Sequence, residues 1–171
     1  SADLFGYAAI LAGDVGIGQR LEDIGDNFDY ISFMVYPSHY YSGLYLPLDS
    51  LRGLPRVNFN RFEARANPDV VVGRSMFVAR DFLDGKISYA TGTSRTLGFV
   101  YASATTTSQR SKARLRPWLE DFFHEQDAAA GRPSGVQKVR LQINAAEKAD
   151  NHGWMLWNAA NVYTEGALKK E

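Results

Sequence analysis

One apolar segment, DYISFMVY at residues 29–36, limits the fold more than any other feature of the sequence. It is rich in β-branched and aromatic residues, which is typical of a β-strand, and Pro37 ends it. Its apolar residues are nearly continuous, whereas a strand with one solvated face would alternate with polar residues. The segment therefore predicts a strand buried on both faces, as in a parallel sheet covered by helices.

Strand and helix patterns alternate along the rest of the chain. The predicted strands lie near Asp3 and at 29–36, 114–119 and 153–157, and the predicted helices lie at 17–26, 67–83 and 136–149. The apolar faces expected for the first and last helices are Ile17, Leu21 and Ile24, and Val136, Val139, Ile143 and Ala146. Asn67 and Ser134 are the expected N-caps, with Pro68 at a first helical position. This order predicts an α/β fold with parallel strands.

The four predicted strands fit either half of a (β/α)8 barrel of the TIM type or a small open sheet. The chain has 171 residues, and a complete barrel usually needs about 200 or more. Two segments interrupt the alternation. Residues 41–66 are expected to be an irregular insertion, because glycines and prolines are spread through them. Residues 87–114, rich in Ser and Thr, are expected to form a second insertion, with a small hairpin or a flexible excursion.

Composition excludes several classes of function. Nineteen basic and nineteen acidic residues give a net charge of zero, whereas a general nucleic-acid binder would show a basic excess. No cysteine is present, which excludes disulfides and thiolate chemistry. The three histidines are dispersed, so no zinc site or other cofactor is expected. No apolar run approaches the roughly 18 residues of a membrane span.

Polar and aromatic residues collect where the predicted strands end. They are Asp3 on the first strand, Tyr36, His39 and Tyr40 after the second, Glu120 and Asp121 after the third, and Trp157 and Asn158 after the fourth. In α/β proteins the carboxyl ends of parallel strands form one rim, and function collects there. Carboxylates, a histidine, tyrosines and an indole on one rim therefore predict a binding or catalytic site.

The carboxylates admit more than one interpretation. Asp121 suits a nucleophile or a general base for water, as in glycoside hydrolysis, or equally an N-cap or surface acid. Glu120 is its neighbour, and because adjacent strand residues point to opposite faces, only one of the two should face the rim. Asp3 suits a second acid, a hydrogen-bond partner of substrate hydroxyls, or a solvated residue near the chain start.

The aromatic residues and His39 are also open to two interpretations. His39 can donate to a sugar hydroxyl or tune a nearby carboxylate, or it can be a loop histidine without a role. At least one of Trp118 and Trp157 is expected in the core, and Trp157, next to a strand end, is the better sugar-stacking platform. Tyr36 and Tyr40 are expected to line the same sugar subsites.

Several motifs together resemble one family, the putative glycosyl hydrolase domain of bacterial exported proteins known as DUF4015. They are SADLFG at 1–6, DYIS at 29–32, MVYPSHY at 34–40, LRPWL at 115–119 followed by Asp121 and Phe122, and GWMLWN at 153–158 followed by Asn161, Val162 and Tyr163. The resemblance implies a TIM barrel, action on a polysaccharide, and an extracellular or cell-envelope location. The sequence departs from the family pattern at Glu120, where glutamine is expected, and at Phe33, where proline is expected.

The resemblance also implies that the chain starts near the fifth barrel strand. The earlier half-barrel, with an acidic motif on its fourth strand, is then expected to precede it. Three hypotheses follow. The first is a glycoside hydrolase domain with Asp121 as one acid and either Asp3 or a residue of a missing or associated segment as the other. Its substrate-binding residues are Tyr36, His39, Tyr40, Trp118, Trp157 and Asn158. The second is a noncatalytic carbohydrate-binding or cell-envelope structural module. The third, compatible with both, is a homo-oligomer or a half-barrel partner that covers the open sheet edge.

Overall fold

The computed structural model describes residues 1–11, 14, 16–89, 99–101, 111–150 and 152–168. Its elements in chain order are β1 (Ala2–Phe5), α1 (Leu21–Ile24), β2 (Tyr30–Met34), β3 (Leu44–Leu46), β4 (Val57–Phe59), α2 (Arg61–Ala66), α3 (Pro68–Leu83), β5 (Ile87–Tyr89), β6 (Phe99–Tyr101), β7 (Arg114–Leu115), β8 (Trp118–Glu120), α4 (Glu125–Ala129), α5 (Gly135–Ala149) and β9 (Met155–Trp157). Short 3-10 turns lie at Gly6–Ala9, Pro37–His39 and Glu165–Ala167.

The main sheet is parallel, and its strands lie side by side in chain order: β1, β2, β8 and β9. The short β7 also pairs with β2, so the predicted third strand is split around Pro117, which has no N–H to donate. The prediction of an α/β fold with parallel strands is confirmed. In the part of the chain that the structure describes, the sheet is open and does not close into a barrel.

The two long helices, α3 and α5, pack against each other and contribute to the same core as one face of the sheet. This core contains Leu4, Ile31, Phe33, Leu115 and Leu119 from the strands, Val71, Val72 and Met76 from α3, and Val139, Ile143 and Ala146 from α5. Strand residues that alternate with these point to the opposite face, where Phe5 is 54% and Trp157 44% exposed. We call this second side, with Asp3, Phe5, Trp118 and Trp157, the open face.

The insertion at 41–66 is more regular than predicted. It contains an antiparallel hairpin of β3 and β4, followed by α2, which begins with a capping box between Asn60 and Glu63. Strands of three residues are too short to give a clear alternation in the sequence. Arg52 ties the insertion to α3, because its Nη1 and Nη2 donate to the Asp81 carboxylate at 2.6 and 2.8 Å.

For the second insertion the sequence allowed a small hairpin or a flexible excursion, and the structure has a hairpin, since β5 and β6 pair antiparallel. Residues 90–98 and 102–110 of this insertion lie outside the described part of the chain.

Some helix details differ from the sequence prediction. The helix expected at 17–26 is a single turn, Leu21–Ile24, because the glycines on both sides of Ile17 have positive φ and Ile17 itself is exposed. Val136 is exposed in the first turn of α5, so the apolar face of that helix begins at Val139. Asn67 and Ser134 occupy cap positions without a side-chain cap bond, and the Asn67 amide donates instead to the carbonyl of Glu63 at 2.8 Å.

Candidate functional site

Asp3, Trp118 and Trp157 lie side by side on the open face. Trp118 reaches across β2, and its Nε1 donates to Oδ1 of the exposed Asp3 at 3.1 Å. The rings of Trp118 and Trp157 meet edge to face, with 6.4 Å between centroids and 86° between planes. Neither indole is buried in the core, contrary to the expectation for at least one of them. The open face thus presents a carboxylate beside two indoles.

Tyr36 follows the end of β2, two residues after Met34. It is buried, and its ring meets the rings of His39 and Phe122 at centroid distances of 5.4 Å each. Burial raises the pKa of the Tyr36 hydroxyl far above 10, and the negative charges of Glu120 and Asp3 raise it further. The hydroxyl therefore stays protonated at neutral pH and can donate a hydrogen bond.

His39 is exposed at the end of the 3-10 turn Pro37–His39. Its imidazole lies between aromatic rings, 5.6 Å from Tyr41 and 5.7 Å from Phe122 between centroids. Tyr40 is elsewhere: it is buried in the core, with its ring 4.8 Å from that of Tyr7 and its hydroxyl 3.1 Å from Oγ of Ser75. The structure brings His39 to the rim but does not bring the Tyr40 ring there.

Asp121 is buried, and both of its carboxylate oxygens accept hydrogen bonds from Thr164. The Thr164 backbone N donates to Oδ2 at 2.6 Å, and its Oγ1 donates to Oδ1 at 2.7 Å. Asn158 takes part in the same junction, because its Nδ2 donates to the Asp121 carbonyl at 2.5 Å. These contacts anchor the segment after β9 to the end of β8.

Glu120 is fully buried and its side chain has different partners. Its Oε2 accepts from the Ser38 backbone N at 3.0 Å and from Ser38 Oγ at 2.6 Å, while Oε1 is ion-paired with the buried Lys138 ammonium. The side-chain amide of Gln142 completes the arrangement by bonding the Glu120 backbone N and O at 3.1 and 2.9 Å. The sequence predicted that only one of the two neighbouring acids would face the rim, whereas in the structure both are buried and each contacts a different loop.

Sequence reasoning missed Ser38, Lys138, Gln142 and Thr164. One signal was available, because Lys138 and Gln142 lie four residues apart, each directly before an apolar core residue of α5. Polar side chains at this spacing share one helix face and can meet the end of a neighbouring strand together. Nothing in the local sequence marks Thr164 as the partner of Asp121.

Among the described residues, no group of three or more His, Asp or Glu side chains is arranged to hold a metal ion. His124 has its Nε2 buried, and burial lowers its pKa, with a smaller effect from the Lys138 charge. No helix within the described ranges is long and apolar enough to cross a membrane.

Comparison with known proteins gives one match. The family model of DUF4015, described as a putative glycosyl hydrolase domain, matches residues 1–163. No curated protein and no solved structure matches the chain. The family match includes every rim residue, from Asp3 to Asn158, and confirms the resemblance inferred from the motifs. The chain belongs to the DUF4015 family of putative glycosyl hydrolase domains.

Proposed function

We propose that this chain is a glycoside hydrolase-like domain whose open face binds a polysaccharide or oligosaccharide. Family membership supports the reaction class. The observation that carries the proposal is the solvent-open group of Asp3, Trp118 and Trp157, in which a carboxylate lies beside two indoles. Sugar sites need apolar ring faces for stacking and a few polar groups that fix orientation.

Each rim residue has a role in this proposal. Trp157 is the stacking platform, because it is the more exposed indole, and Trp118 orients the Asp3 carboxylate through its N–H. Asp3 is the acid that meets the substrate, either as a catalytic carboxylate or as an acceptor for sugar hydroxyls. Tyr36 and His39 supply further polar contacts beside it.

Asp121 can act as a catalytic carboxylate only if the segment after β9 first moves away from it. Both of its oxygens accept hydrogen bonds from Thr164, so a substrate must displace the segment after β9 before the carboxylate can act. Asn158 helps to hold the same segment through the Asp121 carbonyl. Asp3 needs no such rearrangement, and we therefore rank it before Asp121.

We also propose that the sheet is the C-terminal half of a TIM barrel. A doubly wound sheet reverses its strand order at a switch point. Here four parallel strands lie in chain order, and both long helices pack on one core, as in a barrel. A preceding half-barrel or a second copy of the chain would then cover the free strand edges. The extracellular or cell-envelope location expected for the family belongs to the same proposal.

A noncatalytic carbohydrate-binding module is the second candidate, and one observation favours it. Of the three rim acids, Glu120 is ion-paired with Lys138, and the carboxylate of Asp121 is occupied by Thr164. Only Asp3 is open, whereas glycoside hydrolysis generally uses two carboxyl groups.

Calorimetric binding and reducing-end release over a glycan panel distinguish these functions. We expect Trp157→Ala to weaken binding strongly and Asp3→Asn to lower turnover by about 10²–10⁴-fold with a smaller change in binding. Tyr45→Ala is the matched control, because Tyr45 is similarly exposed but lies on β3, in the hairpin insertion. Binding without release would favour the noncatalytic module. If the full-length protein neither binds nor cleaves any glycan of the panel, both candidates are overturned.

A further inference from the structure

We propose that Lys138, Glu120 and Ser38 form a directional hydrogen-bond chain that fixes His39 in the Nδ1–H tautomer. Its Nε2 is then presented to the rim as a hydrogen-bond acceptor for a sugar hydroxyl or a water molecule. The identity of that donor rests on the proposed function, whereas the tautomer does not. In this arrangement Lys138, Glu120 and Ser38 are positioning residues, and His39 is the residue that meets the ligand.

The direction of the chain starts at the buried ion pair. Glu120 and Lys138 are 0% and 4% exposed, and the ammonium contacts Oε1 of the carboxylate. A carboxylate paired with an ammonium away from water is ionised, and an ionised carboxylate can only accept hydrogen bonds. In every hydrogen bond to the Glu120 carboxylate, the partner must therefore supply the hydrogen.

Ser38 transmits this constraint. Its hydroxyl and its backbone N–H both reach Oε2 of Glu120, at 2.6 and 3.0 Å. A serine hydroxyl carries one proton, and here that proton points to Glu120. The Ser38 oxygen therefore faces its other neighbour with a lone pair. That neighbour is Nδ1 of His39 at 3.0 Å, which must supply the hydrogen.

The consequence for His39 follows from imidazole chemistry. In the neutral ring one nitrogen donates and the other accepts, so a protonated Nδ1 leaves Nε2 as an acceptor. Within the part of the chain that the structure describes, Nε2 has no hydrogen-bond partner, and the imidazole is exposed. The rings of Tyr36, Tyr41 and Phe122 lie 5.4, 5.6 and 5.7 Å from the imidazole between centroids. The acceptor thus lies in the turn that follows β2, open to solvent.

Multiple-bond ¹⁵N NMR of the full chain at about pH 8 tests the proposal, because histidines are ordinarily neutral there. The chain has three histidines, and His39→Gln assigns the signals of His39 by their loss. We expect a protonated Nδ1 and an unprotonated Nε2 in the native protein. In Ser38→Ala, where Nδ1 loses its acceptor, we expect the population to move toward the Nε2–H form. Ser42→Ala, at a nearby exposed serine, is the control and should leave the spectrum unchanged.

Lys138→Met tests the direction of the chain. The buried carboxylate of Glu120 then has no counter-charge and is expected to take up a proton. A protonated Glu120 can donate to Ser38, which lets Ser38 donate to His39 and favours the Nε2–H tautomer. An unchanged tautomer in a folded Lys138→Met variant would overturn the proposal, and so would an Nε2–H form in the native protein. If Lys138→Met does not fold, the native and Ser38→Ala spectra decide. If the spectra are as expected but no glycan binds, the proposed function is overturned, whereas the hydrogen-bond chain from Lys138 to His39 is supported.

Discussion

The contact between Asp121 and Thr164 yields the most direct prediction, because it decides how available the Asp121 carboxylate is. Replacing Thr164 by valine keeps the shape of the side chain and the backbone N–H but removes the hydroxyl. The hydrogen bond from Oγ1 to Oδ1 of Asp121, 2.7 Å long, is then lost. The backbone bond of 2.6 Å to Oδ2 stays in place.

The magnitude follows from the charge and burial of the two groups. A hydrogen bond to a charged group contributes about 1.5–3 kcal/mol net. Thr164 is half-buried while Asp121 is buried, so water replaces the hydroxyl only in part, and the lower half of that range applies. We expect a loss of about 1.5–2 kcal/mol in the free energy of unfolding. At about 2–4 °C per kcal/mol for a chain of this length, Tm should fall by about 3–8 °C.

Urea denaturation followed by tryptophan fluorescence measures the loss, since Trp157 lies on the strand that Thr164 follows. Thr164→Ser is the control, because it keeps both donors and should stay close to wild type. In the double variant with Asp121→Ala, the two losses should not add, because Asp121→Ala already removes the hydrogen bond that Thr164→Val removes. A Thr164→Val variant whose free energy of unfolding lies within about 0.5 kcal/mol of wild type would refute a stabilising contact between Thr164 and Asp121. Surface substitutions without such contacts usually stay within that margin.

Three further outcomes follow from single positions. Gly43→Ala should unfold the hairpin insertion, because Gly43 has a φ of 82° and an added Cβ would overlap a carbonyl of β4. Gly16→Ala is the control, because Gly16 has a similar φ of 81° but open space around it. Thermal denaturation compares the two variants. Burial lowers the pKa of His124, so the unfolded state binds a proton at this residue more readily than the folded state. The free energy of unfolding should therefore fall as pH drops through about 6.5. In urea titrations, His124→Gln should make the free energy of unfolding depend less on pH. Lys138→Met should cost about 3–5 kcal/mol in denaturant unfolding, and adding Glu120→Gln should recover most of the loss, because no buried charge is left unpaired.

The parallel sheet was predictable from sequence because its pattern is local. The segment at residues 29–36 is apolar on both faces, and a pattern of only a few residues predicts each strand of the sheet. The hairpin at 44–59 was not predictable, because each of its strands has only three residues. Its position depends on the ion pair of Arg52 with Asp81, which lies 29 residues further along the chain.

The residue types at the rim were predictable, but their availability was not. The rule that function collects at strand ends identified Asp3, Tyr36, His39 and Trp157. The structure brings the Tyr36 and His39 rings together, and Trp118 links Asp3 to Trp157. The partners that occupy a carboxylate are distant in sequence: Ser38 lies 82 residues from Glu120, and Thr164 lies 43 residues from Asp121. Such pairings depend on tertiary geometry, which periodicity does not report.

Glu120 is the last residue of β8 and Asp121 follows it, and their contacts explain why the number of acids at this rim overstates the number of free carboxylates. β8 lies between β2 and β9 in the sheet. Glu120 holds Ser38, in the turn that follows β2, and Asp121 holds Thr164, in the segment that follows β9. Two neighbouring residues at one strand end thus hold the loops of both flanking strands, and because their side chains diverge, a single strand end can contact both sides. An acid pair used in this way shapes the rim, and in the function proposed above Asp3 and His39 are the groups left to meet a ligand.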